Sequence, residues 1–440
     1  TDYAYGTTHG RLTKITHPDN SDIDLEALQT IGLPTATTGN SLIAADPLGT
    51  ITDERGYDST FRVDRFGSTI EWNDQLGHKT LTHRNASGQS VKVVGADPDG
   101  AGSLTSPVTI LGYNPSGDLV YQQNPDATEV TWTYTTTFHS IASVTDELDR
   151  TRSFAYDTDG NLTTETDAAG FSTTHAYNSL GLRTSTTTPD PDNTGPLSAS
   201  VTSFSYDSYG RLTTITNPDS STRTLAYDSA DNLTSETNEL SHAATSTYDA
   251  LGRLTSSTDR ESATTSFAYD AIGQLTKQTD ALGNATDYEY NNRGFQTKVT
   301  QPDPDGAGSL SRPVSEYQYD LTGNLTQIVS DFIAGTTLPI THTYDAAGRR
   351  TKTEGPLVNV YTTFSYDNLD RLTLETEYQH LVTEYTYDSR GRTTSVSKSD
   401  GYDQTPPTTT YSYDDAGQLV AVTDPRGYTT AYEYNSRGLL

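Results

Sequence analysis

Residues 264–290 read TTSFAYDAIGQLTKQTDALGNATDYEY, and this stretch decides the fold. Phe267 and Tyr269 stand two residues apart and so share one face of a strand, while Ser266 and Ala268 share the other. Asp270-Ala-Ile-Gly273 then turns the chain. The Asp carboxylate can accept the backbone N–H two residues on, and Gly supplies the left-handed conformation that ends a type I turn with a bulge. A second strand, Leu275 to Thr279, runs back to another Asp-x-x-Gly turn at Asp280. Two short strands and two tight turns make one hairpin of about 21 residues.

The hairpin recurs. Tyr156 is followed at 177, 206, 227, 248, 269, 290, 319, 344, 366, 387, 413 and 434 by another tyrosine, each opening Tyr-[Asp/Asn]-x-x-Gly or a close variant. A fixed period in the twenties marks one supersecondary unit stacked many times. Aspartate replaces the glycine at 231 and 370, and it is among the few residues that tolerate a left-handed backbone. The predicted fold is all-β: a long antiparallel hairpin array coiled into a spiral, because a flat sheet of so many strands twists and curls. The Tyr/Phe/Leu face is expected to pack as an aromatic ladder and the Thr/Ser face to meet solvent. Residues 1–60 read as an irregular N-terminal repeat with an insertion, and 61–440 as the regular array, a segment of a longer chain. Within the first part, residues 22–28 (DIDLEAL) are compatible with one or two turns of helix.

Composition agrees with a sheet of modest core. Apolar residues are 32% of the chain, below the usual 45–50% for a globular domain, and Tyr (29) outnumbers Phe (10) and Trp (2). The formal charge of −30 disfavours nucleic acid and anionic membrane as partners. No cysteine is present, so no disulfide staples the fold. No apolar run approaches a membrane-spanning length, so insertion of this segment into a membrane is not expected.

Three steps of the period are 29 residues long, and the added residues fall in the second turn: Asp97 to Leu104, Asp190 to Leu197 and Asp303 to Leu310. Each follows a motif in which Asn85, Asn178 or Asn291 replaces the Asp, as Asn435 does in the last motif, so a fourth insertion is expected to follow residue 440. The Asp-Pro-Asp-Gly-x-Gly sequence is similar to the opening of a calcium loop, with Asp97, Asp99, Asp303 and Asp305 as candidate ligands. It lacks the third carboxylate and terminal glutamate of an EF-hand, and an extended Pro/Gly-rich turn explains it equally. No other cofactor is implied.

The unit Tyr-Asp-x-x-Gly-[Arg/Asn/Gln]-Leu-Thr stands at Tyr156-Asp157-x-x-Gly160, Tyr206-Asp207-x-x-Gly210, Tyr248-Asp249-x-x-Gly252, Tyr269-Asp270-x-x-Gly273 and Tyr319-Asp320-x-x-Gly323. It resembles the YD repeat of Rhs proteins, wall-associated proteins, insecticidal Tc-toxin shell components and teneurins, over residues 61–440. The resemblance implies that the spiral forms a hollow shell or tube-like β-solenoid, the wall of a secreted or cell-surface protein. In the toxin members that wall encloses a toxic domain, and in teneurins it serves adhesion. The family's terminal core motif with its autoproteolytic aspartate has no match; Asp46-Pro-Leu-Gly49 and Asp424-Pro-Arg-Gly427 echo a fragment of it where ordinary second turns belong.

The expected function is therefore a non-catalytic scaffold that encloses cargo such as a toxin domain. A structural fibre, tube or adhesin contacting a cell-surface glycan or protein is the alternative, and a carbohydrate-acting enzyme a distant third. Expected partners are the rest of the same polypeptide, further copies of the chain, or that cargo. The nine histidines show no metal-ligand spacing, and no Gly-x-Ser-x-Gly elbow singles out a nucleophile.

Overall fold

In the strand Thr264–Tyr269 the side chains alternate between exposed (Thr264, Ser266, Ala268) and half-buried (Thr265, Phe267, Tyr269), the period-2 pattern of a sheet with one covered face. The computed structural model describes residues 1–5, 12–26, 48–64, 66–191, 198–306, 308, 310–333, 336–357, 359–378, 381–400 and 405–440. These form an all-β chain, a 37-stranded sheet. Chain neighbours pair antiparallel, as in Thr151–Tyr156 with Leu162–Thr166 and that strand in turn with Ser172–Tyr177. No α-helix occurs among the described residues.

The two kinds of pairing differ. Across the Tyr-Asp turn the register runs Ser153↔Thr166, Phe154↔Glu165 and Ala155↔Thr164, then slips so that Tyr156 opposes Leu162. That slip is the bulge expected where a left-handed residue closes a type I turn. Across the second turn the ladder is regular but ends at Thr164↔Thr174. Both irregularities recur along the array and both leave carbonyl groups needing partners.

The accessible surface is 26666 Å². A compact monomer of this mass would expose roughly 16,000 Å². The excess follows from a sheet one layer thick, and among the described residues the buried apolar side chains are few: Val63, Ala96, Pro98 and Val299. Stability therefore rests on local hydrogen bonds and half-buried rings.

Contacts divide the chain into two compact units. The larger comprises Thr1–Val130, Tyr290–Lys298 and Ser315–Glu433; the smaller comprises Thr131–Glu289, Val299–Val314 and Tyr434–Leu440. Within the larger unit the sheet returns onto itself. Arg55 donates to the Asp345 and Ala346 carbonyls at 2.9 and 2.6 Å, Asn368 Nδ2 to the Asp97 carbonyl at 2.8 Å, and Arg392 reaches Asp126 at 3.4 Å, across 290, 291, 271 and 266 residues of chain. In each case a second turn from the earlier stretch meets a Tyr-Asp turn from the later one. Tiers of one ribbon thus stack edge on edge, which is the contact that a spiral requires.

Two expectations are corrected near the N-terminus. Asp22–Glu26 is a strand, not a helical turn, paired with Leu12–Thr16 on one side and Leu48–Thr52 on the other. Its alternation of Ile23 and Leu25 with acids is strand spacing; residues 27 and 28 lie outside the described residues. Gly49 is also in a strand, not a turn. The Phe61 ring lies across it so closely that a Cβ there would sit 2.4 Å from Cζ. Asp424 to Gly427 is an ordinary second turn, closed by Gly427 N–H to the Asp424 carbonyl at 2.9 Å.

Candidate functional site

The repeating turn carries a recurring set of side-chain hydrogen bonds. At Asp157 the carbonyl accepts from Gly160 N–H at 3.2 Å, and one carboxylate oxygen accepts from the backbone of Asp159 and Asn161, both at 2.9 Å. Gly160 sits at φ 87°, where a side chain would be strained. The same closure appears at Asp207, Asp249, Asp270 and Asp320, with Gly210, Gly252, Gly273 and Gly323 left-handed. The Asn161 amide and the backbone donors hold the Asp157 carboxyl below its ordinary value.

The tyrosine joins one hairpin to the one before it. Tyr177 Oη donates to the Leu162 carbonyl at 2.8 Å, beyond the end of the regular ladder. Tyr156, Tyr206, Tyr248, Tyr269 and Tyr319 do the same to Ile141, Arg183, Leu233, Leu254 and Gln296 at 2.7–2.9 Å. The Thr of the Leu-Thr pair serves the bulge: Thr163, Thr213 and Thr276 donate to the Ala155, Ser205 and Ala268 carbonyls at 3.2 Å. Half-buried backbone groups left by the irregular register are thereby satisfied.

Arginine after the glycine joins each turn to the next. Arg371 Nε meets Asp367 Oδ2 at 2.7 Å, its Nη1 donates to the Asp388 carbonyl at 3.1 Å, and its guanidinium lies 4.7 Å from the Tyr387 ring centre. Arg253 repeats this with Asp249, the Asp270 carbonyl and Tyr269, and Arg349 with Asp345, the Asp367 carbonyl and Tyr366. Where Asn stands there, as at Asn161 and Asn232, only the bond to its own Asp is made, at 2.9 Å. The expected aromatic ladder is therefore largely an arginine-tyrosine ladder. Among the described residues, rings stack on rings at Phe61/Trp72 and Phe295/Tyr319. The motif placed Asp, Gly and Tyr, but a variable Arg/Asn/Gln position concealed the arginine's reach into the next repeat.

The candidate calcium ligands sit in self-closed loops. Asp99 Oδ2 accepts Leu104 N–H at 3.0 Å and Asp97 Oδ1 accepts Asp99 N–H at 3.3 Å; Asp305 and Asp303 do the same with Leu310 and Asp305 at 3.1 and 3.2 Å. The Leu104 backbone keeps the Asp99 carboxyl below its ordinary value. A Cβ on Gly102 or Gly308 would fall 2.0 or 1.9 Å from Asp99 or Asp305 Oδ2, so each glycine makes room for the staple. All three insertions occupy second turns, closed by Gly95 to Pro107, Thr188 to Ser200 and Gln301 to Pro313, each at 2.9 Å. Residues 192–197, 307 and 309 lie outside the described residues.

A different cluster brings three potential metal ligands together. Among the described residues, Asp74, His78 and Asp370 have ligand atoms mutually within 4.8 Å. Asp74 and His78 belong to a second turn and Asp370 to the Tyr-Asp turn stacked on it; Arg349 already holds Asp370 at 2.8 Å. Spacing along the chain could not reveal the cluster, because Asp370 joins it only through tier stacking. In the smaller unit a cleft of about 420 Å³ lies among Asp146, Arg150, Arg152, Asp167 and Arg437. Its charges pair internally, Arg150 with Asp146 at 2.8 Å and Arg437 with Asp167 at 2.6 Å. His175 and His342 face Thr186 and Thr353, and burial lowers both imidazoles from their ordinary value.

Comparison with known proteins agrees with this geometry. The RHS Repeat family matches residues 138–172, 156–192, 194–222, 206–243, 248–277, 269–306 and 408–440. Among solved structures, the chain is similar to TcdB2-TccC3-TEV (TM-score 0.67, 15% identity, 100% of this chain and 24% of that one). It is similar to the Photorhabdus luminescens Tc holotoxin pore (TM-score 0.68, 14% identity, 98% and 27%) and to TcdB2-TccC3 (TM-score 0.68, 15% identity, 98% and 28%). The chain thus spans about a quarter of those chains. No curated protein matches the sequence.

Proposed function

The chain belongs to the Rhs, or YD, repeat family, and from that premise we propose that it is a non-catalytic wall segment of a secreted or cell-surface protein, enclosing cargo such as a toxin domain. The carrying observation is what the motif residues are used for. The Asp carboxylate closes its own turn, the Tyr hydroxyl ties back one hairpin, and the Arg ties forward one hairpin. These groups are engaged in coupling neighbours, and the resulting product is a continuous, cross-tied sheet.

The similarity to TcdB2-TccC3 structures supports the fold, and enclosure of cargo is the function that fold suits. The experiment is limited proteolysis of the complete gene product. Non-repeat sequence is expected to stay protected until the repeats are unfolded. Cleavage of that sequence under native conditions at the rate seen in denaturant would overturn enclosure. A fibre or tube is the second reading, favoured by the exposed turn edges described next.

A further inference from the structure

Where tiers stack, the third residue of a Tyr-Asp turn can be covered by a second turn, as Leu369 is. Leu369 is half-buried, its Cδ2 lying 3.3 Å from the Cβ position of Gly95, and Asn368 N–H donates to the Pro98 carbonyl at 3.0 Å. Leu76, at the same place in a second turn, is 37% exposed. Polar contacts join the two kinds of turn in both directions: Arg390 on a Tyr-Asp turn reaches Asp126 on a second turn at 3.6 Å, and Arg55 on a second turn donates to the Asp345 and Ala346 carbonyls. The smaller unit makes this contact between Asp167 and Arg437, whose guanidinium lies 5.1 Å from the Phe171 ring centre.

Elsewhere in the smaller unit both kinds of edge are bare. Leu180, Leu251 and Ile272 on Tyr-Asp turns are 76%, 75% and 78% exposed; Leu240 and Leu282 on second turns are 74% and 88%. Exposed acids, Glu239 and Glu261, stand on the same second-turn edge. Scattered exposed leucines need no explanation, but a row repeated at one turn position does. Leucine or isoleucine stands in these rows at the turn position that Leu76 and Leu369 hold in the larger unit, and second turns there meet Tyr-Asp turns, so the complementary surface is on the same molecule.

We propose that the two rows are the faces of a head-to-tail contact between copies of this chain. The second-turn edge around Leu240 and Leu282 receives the Tyr-Asp edge around Leu180, Leu251 and Ile272 of a second copy, reproducing the tier contact between molecules. Such a contact is heterologous, so it propagates and does not stop at a symmetric dimer.

Sedimentation velocity on the 440-residue chain tests it with two variants, one carrying Leu240→Asp and Leu282→Asp, the other Leu251→Asp and Ile272→Asp. The wild-type chain is expected to grow with concentration into species larger than a dimer. Each variant alone is expected to stay monomeric, and an equimolar mixture to form a one-to-one dimer that grows no further. All substitutions are at exposed turn tips, and unchanged hydrogen-exchange protection in the strands would confirm folding. A wild-type chain that stays monomeric at the highest soluble concentration overturns the proposal. So does a mixture of folded variants that stays monomeric, or a single variant that still associates.

Discussion

Replacing Arg371 separates what a turn does for itself from what it does for its neighbour. Its side chain is 16% exposed and that of Asp367 is 8%, so their interaction is sheltered from solvent. Arg371→Ala removes the charge-assisted contact with Asp367, worth about 1.5 kcal/mol after allowing for the backbone donors that Asp367 keeps. It also removes the bond to the Asp388 carbonyl and the contact with the Tyr387 ring, together about 1.5 kcal/mol. Arg371→Asn copies the arrangement at Asn161 and Asn232, so only the second part is lost. A stacked array need not unfold in one step, so the assay is native-state hydrogen exchange in residues 361–387. Exchange there is expected to accelerate about 150-fold in Arg371→Ala and about 10-fold in Arg371→Asn, at 1.4 kcal/mol per factor of ten. Equal acceleration in the two variants would refute the division between own-turn and next-turn roles.

Turn backbone strain gives a second check. Ala127 and Ser241 occupy the left-handed position at φ 67° and 64°, so Ala127→Gly and Ser241→Gly should each stabilise locally by about 0.5–1 kcal/mol, while Gly170→Ala should cost about 1 kcal/mol. Opposite signs in hydrogen exchange would reject the assignment. Stability should also have two pH limits. Asp157, Asp228 and Asp280 are held below their ordinary value, first by the side chains of Asn161, Asn232 and Asn284. Their contribution is complete above the unfolded carboxyl pKa of about 3.9 and disappears as pH falls through the lower folded values. Burial raises Tyr344, Tyr366 and Tyr387, so theirs is complete below about pH 10 and disappears as pH rises through the higher folded values. Thermal melts that rise below pH 3 or above pH 11 would contradict this. For the insertion loops, calorimetry with calcium decides between a site at Asp97/Asp99 and Asp303/Asp305 and a self-closed turn. The hydrogen bonds already made by Asp99 and Asp305 predict no binding heat, and a saturable heat lost in Asp99→Asn plus Asp305→Asn would establish the site.

Much of the repeat was legible because its signals are local. Phe267 and Tyr269 announce a strand by alternation, and Asp270 and Gly273 announce a turn by backbone chemistry that needs no partner. Asp231 and Asp370 were readable as glycine substitutes for the same reason, and both are left-handed at φ 67° and 62°. Ala127, Ser220, Ser241 and Ser262 occupy the equivalent place in second turns without a residue type that signals it. Asp22–Glu26 misled because its charges resemble a helix start, whereas pairing on both sides makes it a strand. The arginine clamps and the Asp74, His78, Asp370 cluster depend on which turn lies beside which. That information is carried by the coil of the ribbon and not by any short stretch of sequence.

The central claim is that second turns of one tier rest on Tyr-Asp turns about one tier later, and the absence of cysteine permits a direct measurement. Pro98→Cys and Asn368→Cys introduce two thiols at positions where Asn368 N–H now meets the Pro98 carbonyl at 3.0 Å. Treated with a short thiol-reactive cross-linker at low protein concentration, the double variant should close an intramolecular loop. Proteolysis and mass spectrometry should recover the linked peptides, and neither single variant should yield them. Two freely labelled thiols that never cross-link within one folded chain would contradict the stacking and the spiral built on it.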